Sequence, residues 1–250
     1  MKRLGIMAAL PQELGDLLAQ MQAAGEVRTV TLGRREYHIG EAHGVPAVVT
    51  LARIGKVAAA ATASALIHVF EADAIVFTGV AGGVRGDVQV GDIVVADALM
   101  QHDLDASPLF PRYEVPLLDR ARFDADAALS DALAKAAEAF IAEEGGALAE
   151  RFAVAAPRVH RGVIVSGDRF IASHEALFAL RDALPDALAV EMEGAAIAQV
   201  CYEHGVPCAV VRTISDSADA AAPASFIDFL TAIAGTYSSG ILSRFLLMAR

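Results

Sequence analysis

The chain has 250 residues, 55% of them hydrophobic, with 20 Lys and Arg against 31 Asp and Glu for a formal net charge of -11. That is enough apolar material for one large domain or two small ones, and a charge that repels phosphate backbones and makes nucleic acid a poor partner. No apolar run reaches the ~18 residues of a membrane span, and Cys201 and Cys208 lack CxxC spacing and read as buried free thiols of a reducing compartment.

Met1-Lys2-Arg3 followed by Leu4–Leu10 faintly imitates a signal peptide. Pro11-Gln12-Glu13 stands where a small-residue cleavage site would be, so the run is expected to be a first strand, Leu4–Ala9, of a cytoplasmic protein. Pro11 suits the first turn of a helix, with Leu14, Leu17, Leu18 and Met21 on one face. Strands are expected at Val27–Leu32, Arg35–Ile39 and Pro46–Leu51, parted by Gly33, Gly40 and Gly44. Gly55 opens an Ala-rich helix to about Phe70. Ala74–Thr78 is a buried-strand run that leads into a Gly-rich turn, Gly79–Gly83. Such a turn lets backbone N–H groups approach a ligand or simply reverses the chain; it is neither GxGxxG nor a P-loop.

Ile93–Ala96 reads as another buried strand, and Ser107–Pro116 as an irregular loop with three prolines. Asp124–Glu143 is expected to be an amphipathic helix through Leu129, Leu133, Ala136 and Phe140. Arg158–Val165 reads as a strand, Ser166–Asp168 as a turn, and His174–Leu184 as a helix stopped by Pro185. Ala187–Val190 and Cys208–Ile214 are strand runs around the helix Gly194–Cys201. Ala224–Ala249 reads as one long C-terminal helix. Strands alternating with crossover-length helices predict a single-domain, three-layer α/β/α sandwich with a mixed, largely parallel central sheet.

Carboxylates at strand ends mark where open α/β sheets keep their chemistry. Glu191 and Glu193 follow a strand directly; two acids so close repel unless partners or ligand hydroxyls take up the charge. They share a face if the strand persists through Met192, and do not if the helix begins there. Asp216 lies just past a strand and reads as a cap or as a functional acid. Glu13 lies in a first helical turn, where the dipole alone favours it, or faces the same cleft. His102, Asp103 and Asp105 lack the further ligand a divalent site wants, so no metal or cofactor is expected. No GxSxG elbow occurs.

Gly5–Glu13, Gly55–Ala58, Thr78–Gly83, Val90–Val95, Val165–Ile171, Val190–Glu193, Val211–Asp216 and Ser225-Phe226 together resemble the 5′-methylthioadenosine/S-adenosylhomocysteine nucleosidases, of the nucleoside phosphorylase superfamily. The resemblance implies a nucleoside phosphorylase-like fold and hydrolysis of an N-glycosidic bond to release adenine. It makes Asp216 the acid that protonates adenine N7 and Glu13 the base that activates water. Glu193 would bind the ribose hydroxyls, with Met192 packing on the sugar. Phe170 would stack on the purine and the Ile171 backbone would read its edge, with Ala81 and Gly82 lining the base pocket. Leu10, Ile54 and Phe226 would enclose the 5′-alkylthio group, Arg212 and Ser215 would support an Asp216 loop, and Glu191 would play a supporting part. The family implies a homodimer with residues 104–116 reaching the neighbouring site. Two positions depart from the pattern. Val80 replaces a frequent serine, which favours water over phosphate as nucleophile, and Leu10-Pro11-Gln12 replaces an acidic run, which leaves only Glu13 as base. The rivals are a phosphate-dependent purine nucleoside phosphorylase, a futalosine-type nucleosidase and a non-catalytic nucleoside-binding protein.

Overall fold

The structure is a computed structural model that describes residues 2–152 and 156–249. The elements in chain order are β1 (Leu4–Ala8), a 3-10 turn (Pro11–Leu14), α1 (Leu17–Ala24), β2 (Arg28–Leu32), β3 (Arg35–Ala42), β4 (Val45–Leu51), α2 (Lys56–His68), β5 (Ala74–Gly83) and β6 (Ile93–Gln101). There follow β7 (Arg122–Asp124), α3 (Ala127–Phe152), β8 (Val159–Ser166), α4 (His174–Ala183), β9 (Ala187–Glu191), α5 (Gly194–His204), β10 (Cys208–Asp216), α6 (Ala222–Ala232) and α7 (Ala234–Met248).

The strands form one mixed sheet in the order β10-β6-β8-β9-β5-β1-β4-β3-β2, with β7 paired to β6. The expected mixed α/β architecture is present. β1 pairs in parallel with β4 and β5, while β2, β3 and β4 form an antiparallel meander. β10 also pairs with β5, so β10, β6, β8, β9 and β5 close into a ring. β1, β5, β9 and β10 are buried along their whole lengths. That burial on both faces is why their sequences read as unbroken apolar runs rather than alternations. One core lies between the sheet and α1, α3, α6 and α7; a second lies under α2 and α5, whose alanines let the two helices pack closely; and a third, smaller one packs α4 against β8 and β9.

Several boundaries differ from expectation, each for a physical reason. Residues 79–83 are not a turn: they continue β5, hydrogen-bonded to β10 on one side and to Val190 and Ala189 of β9 on the other. The first helix is broken at Gly15 (φ 56°), so Leu14, Leu17 and Met21 are buried while Leu18 is only half-buried. The third helix starts at Ala127, since Asp124 belongs to a short strand, and continues through Gly145 and Gly146, where Leu148 gains core contacts. The C-terminal helix is two helices parted at Ile233 (φ -129°). The break lets Gly235 approach the 3-10 turn, where a Cβ would lie 3.3 Å from the Cα of Gly15.

Candidate active site

Four chain segments bring their ends to one cavity. β5 contributes Val80, Ala81 and Gly82; β9 ends in Glu191; β10 ends in Ser215 and Asp216; and the 3-10 turn after β1 presents Glu13. The cavity measures about 240 Å³ and is largely apolar, walled by Leu10, Ile54, Phe170, Ile171, Met192 and Phe226. Phe170 and Phe226 meet edge to face at 5.6 Å between centroids.

Glu13 is 3% exposed and fixed by three backbone donors. Its Oε2 accepts from the N–H of Ala9 (2.8 Å) and Leu10 (2.7 Å), and its Oε1 from the N–H of Val80 (2.9 Å). Burial pushes its pKa above the ordinary carboxylate range, against the pull of Arg212 and of those three donors. Asp216 accepts from the Ala218 N–H at Oδ1 (2.8 Å) and from the Ser215 hydroxyl at Oδ2 (2.8 Å). Its pKa is also raised, chiefly by burial.

Glu191 and Glu193 do not share a strand face. The strand stops at Glu191, and Glu193 is the N-cap of α5. They converge instead on one cation. Arg212 Nη2 donates to Glu191 Oε2 and lies 3.7 Å from Glu193 Oε2. The Glu191 carboxylate also accepts the Gly194 N–H (2.9 Å), the Glu193 N–H (3.1 Å) and the Ser166 hydroxyl, so it holds the positive end of α5. Glu193 Oε1 accepts the N–H of Gly55 (2.8 Å), at the start of α2. Burial, reinforced by the neighbouring Glu191, raises the Glu193 pKa to about 8.

Arg212 lies behind the cavity. It is 1% exposed, its guanidinium sits 3.8 Å from the Phe77 ring centroid, and among the described residues its Nε and Nη1 have no partner. It does not support an Asp216 loop: Asp216 is the last residue of β10, and the arginine serves the glutamates. Ser215 does reach Asp216. Gly79 explains how Arg212 and Glu13 come so close. Its φ is +154°, and a Cβ there would strike both Arg212 Nη1 and the Glu13 carboxylate.

The other sequence-predicted residues all line the cavity: Leu10, Ile54, Ala81, Gly82, Phe170, Ile171, Met192 and Phe226. Ala9, Arg169 and Val190 line it too and were not anticipated; nothing in their types sets them apart from structural neighbours. Among the described residues no three His, Cys, Asp or Glu side chains group to hold a metal ion. Asp103 is instead taken by Lys56 Nζ (2.6 Å), and Asp105 by Ser107.

A mixed sheet closed on itself and capped by helices, with its cavity at the strand ends, defines an α/β protein of the nucleoside phosphorylase-like class. The chain belongs to the phosphorylase superfamily, whose family model matches residues 3–247. It is similar to the 5′-methylthioadenosine/S-adenosylhomocysteine nucleosidase of Neisseria meningitidis in complex with methylthio-immucillin-A, with 36% identity, 98% of each chain covered and a TM-score of 0.84. The S-adenosylhomocysteine nucleosidase of Streptococcus pyogenes in complex with 5-methylthiotubericidin is 31% identical, with 100% of this chain and 98% of that one covered and a TM-score of 0.85. The futalosine hydrolase of Helicobacter pylori strain 26695 is 33% identical over 97% of each chain, with a TM-score of 0.81. No helix among the described residues is long and apolar enough to cross a membrane.

Proposed function

We propose that the chain is a single-domain nucleosidase that hydrolyses the N-glycosidic bond of 5′-methylthioadenosine and S-adenosylhomocysteine, releasing adenine. The observation that carries this reading is the meeting of Glu13, Glu193 and Asp216, from distant parts of the chain, around one apolar cavity. Cleavage passes through an oxocarbenium-like sugar. Asp216 gives its proton to adenine N7 as the C1′–N9 bond breaks, and burial, which raises its pKa, favours the protonated form that this role needs. Water forms the new C1′–O bond and gives a proton to Glu13, whose raised pKa makes it a stronger base once ionised. Burial raises the pKa of both groups, so the division of labour between acid and base rests on the family resemblance rather than on a difference in burial. Glu193 holds the ribose hydroxyls, Met192 packs against the sugar, and Phe170 covers the base. These contacts hold the substrate in reacting geometry.

Water is favoured over phosphate by the local chemistry. Val80 offers no side-chain donor, and the nearest buried cation, Arg212, is already committed to Glu191 and Glu193. The likeness to a futalosine hydrolase supports a second reading, a nucleosidase for a different 5′-substituent on the same machinery. The family resemblance also supports a homodimer in which residues 104–116 reach the partner's site; Leu109, in that segment, is 84% exposed.

The test is to incubate the protein with 5′-methylthioadenosine, S-adenosylhomocysteine, futalosine, adenosine and inosine, with and without phosphate, and follow the free base. Adenine release in phosphate-free buffer is expected from the two thio-nucleosides. Release only with phosphate would make the chain a phosphorylase, and no release from any of them would end the enzymatic reading.

A further inference from the structure

The first turn of α2 carries no cap of its own. Its N-cap is Gly55, which has no side chain, and no acid lies in the turn. Its leading N–H groups, which a helix leaves without internal partners, are taken by two carboxylates from far along the chain. The Gly55 N–H donates to Glu193 Oε1 (2.8 Å), 138 positions away, and the Lys56 N–H to Asp168 Oδ1 (2.8 Å), 112 positions away. Adjacent backbone groups thus hold the glutamate assigned to the ribose and an aspartate outside the proposed chemistry. Gly55 sits at φ +99°, and a Cβ there would lie 3.2 Å from Asp168 Oδ1, so the junction suits glycine.

Asp168 is itself held. Its N–H donates to Asp103 Oδ2 (2.8 Å), and Asp103 Oδ1 accepts from Lys56 Nζ (2.6 Å). The same ammonium donates to Gln101 Oε1 (2.9 Å) and lies 4.0 Å from Asp168 Oδ2. These bonds close a ring in which Lys56, Asp168 and Asp103 are each tied at two points. The ring joins three segments: α2, the chain after β6 and the chain after β8. A lone surface ion pair contributes little, but a closed network fixes geometry. Its place matters. Ile54 lies just before Gly55, and Arg169, Phe170 and Ile171 follow Asp168 directly; all four line the cavity. Glu13 and Asp216 are fixed by other groups: Ala9, Leu10 and Val80 for the one, Ser215 and Ala218 for the other. The ring therefore bears on the walls around sugar and base and leaves the proposed acid and base alone.

We propose that Asp168 is a positioning residue: locked by Asp103 and Lys56, it fixes the start of α2 so that the Gly55 N–H holds the Glu193 carboxylate in the orientation that grips the ribose hydroxyls. The inference rests on the nucleosidase reading above. A carboxylate oxygen accepts more than one hydrogen bond, so Glu193 Oε1 can be held by Gly55 and still receive a sugar hydroxyl. Without the Asp168 cap the first turn of α2 loosens, the Gly55 N–H moves, and Glu193 loses the contact that aims it. The Asp168 side chain is half exposed, so it can be replaced with little cost to the core.

The experiment measures adenine release from 5′-methylthioadenosine and from its 2′-deoxy and 3′-deoxy analogues. The ribose-to-deoxy ratio of kcat/KM reports the grip on each hydroxyl, and comparing that ratio between a variant and the natural chain cancels the intrinsic lability of each bond. Asp168→Ala is expected to lower the ratio by about threefold or more, the equivalent of a lost helix cap. Asp168→Asn keeps an oxygen for the Lys56 N–H and caps a helix as well as aspartate does, so it should retain the ratio. Asp103→Ala, one link further out, should lower the ratio in the same direction, and it serves if Asp168→Ala does not fold. In a Glu193→Gln background, Asp168→Ala should cost less than about twofold more, because the two residues act as one unit. A merely structural role would slow all three substrates equally and multiply with Glu193→Gln. An unchanged ratio in Asp168→Ala, or losses that multiply, would overturn the proposal. If the natural chain releases no adenine from any compound, the nucleosidase reading fails by itself; the same ratio taken from Kd values by calorimetric titration then decides the positioning role, and absence of binding as well would overturn it.

Discussion

Arg212 is where the electrostatics of the site are most exposed to test. It is the buried cation among three buried carboxylates, Glu13, Glu191 and Glu193, which are 3%, 7% and 5% exposed. Replacing it with Met keeps a long apolar side chain over Phe77 and removes the charge and its hydrogen bonds to Glu191. Breaking a buried pair from one side costs about 3–5 kcal/mol, because the other charge is left uncompensated. Against a total stability of about 5–15 kcal/mol this is a large share. At a urea slope of about 3 kcal/mol/M, the Arg212→Met midpoint should fall by about 1–2 M. The arginine also lowers the pKa of both Glu13 and Glu193, so both should rise further without it. The low-pH limb of the adenine-release profile should then move to higher pH, since Glu13, as the proposed base, must be ionised to act. Adding Glu191→Gln removes the charge left unpaired and should recover part of the lost stability; this double variant also serves if the single one does not fold. A midpoint shift worth less than about 1 kcal/mol, together with an unmoved pH profile, would refute the reasoning.

The remaining expectations are narrower. Asp216→Asn can keep both local contacts, accepting from Ala218 and bonding to Ser215, so its melting temperature should stay close to that of the natural chain while kcat for 5′-methylthioadenosine falls by about 10²–10⁴; retention of more than a tenth of kcat would exclude Asp216 as the acid. Glu193 binds its proton more tightly folded than unfolded, its pKa rising from 4.5 to about 8. The folded state therefore holds the extra proton in that window, and this contribution to stability is full below about pH 4.5 and lost as pH rises through about 8. Denaturation across that range should show a smaller decline for Glu193→Gln than for the natural chain; parallel curves would argue against the shift. Gly79→Ala, at φ +154° with Arg212 and Glu13 in the path of its Cβ, should lose activity and several kcal/mol of stability in urea titrations, whereas Gly86→Ala, where a Cβ meets nothing within 4 Å, should be near neutral.

The buried strands β1, β5, β9 and β10 were legible because burial on both faces forces continuous apolar runs. The short β7 was not, since three residues paired to one neighbour leave no periodicity to detect. Gly79 to Gly83 misled in the opposite direction. Glycines usually mark turns, but here they stay in the strand because Arg212, Asp216 and Ala218 occupy the space their side chains would fill. The carboxylates were visible as strand-end acids, and the family pattern suggested separate tasks for them. Arg212 was singled out only by the family pattern, and its partners depend on how β10, β9 and β5 lie together, which is long-range information.

The closed strand ring divides the molecule's capacity for change. Ala81, Gly82, Glu191 and Asp216 belong to strands that are each hydrogen-bonded within the ring, so altering one disturbs its neighbours. Leu10, Ile54, Phe170 and Phe226 lie outside it, the first three in turns and loops and Phe226 within α6. Substitutions can accumulate at the mouth without touching the reacting groups. Such a chain can acquire a new preference at the 5′ end of its substrate in small, separately tolerable steps, while the bond it breaks stays the same.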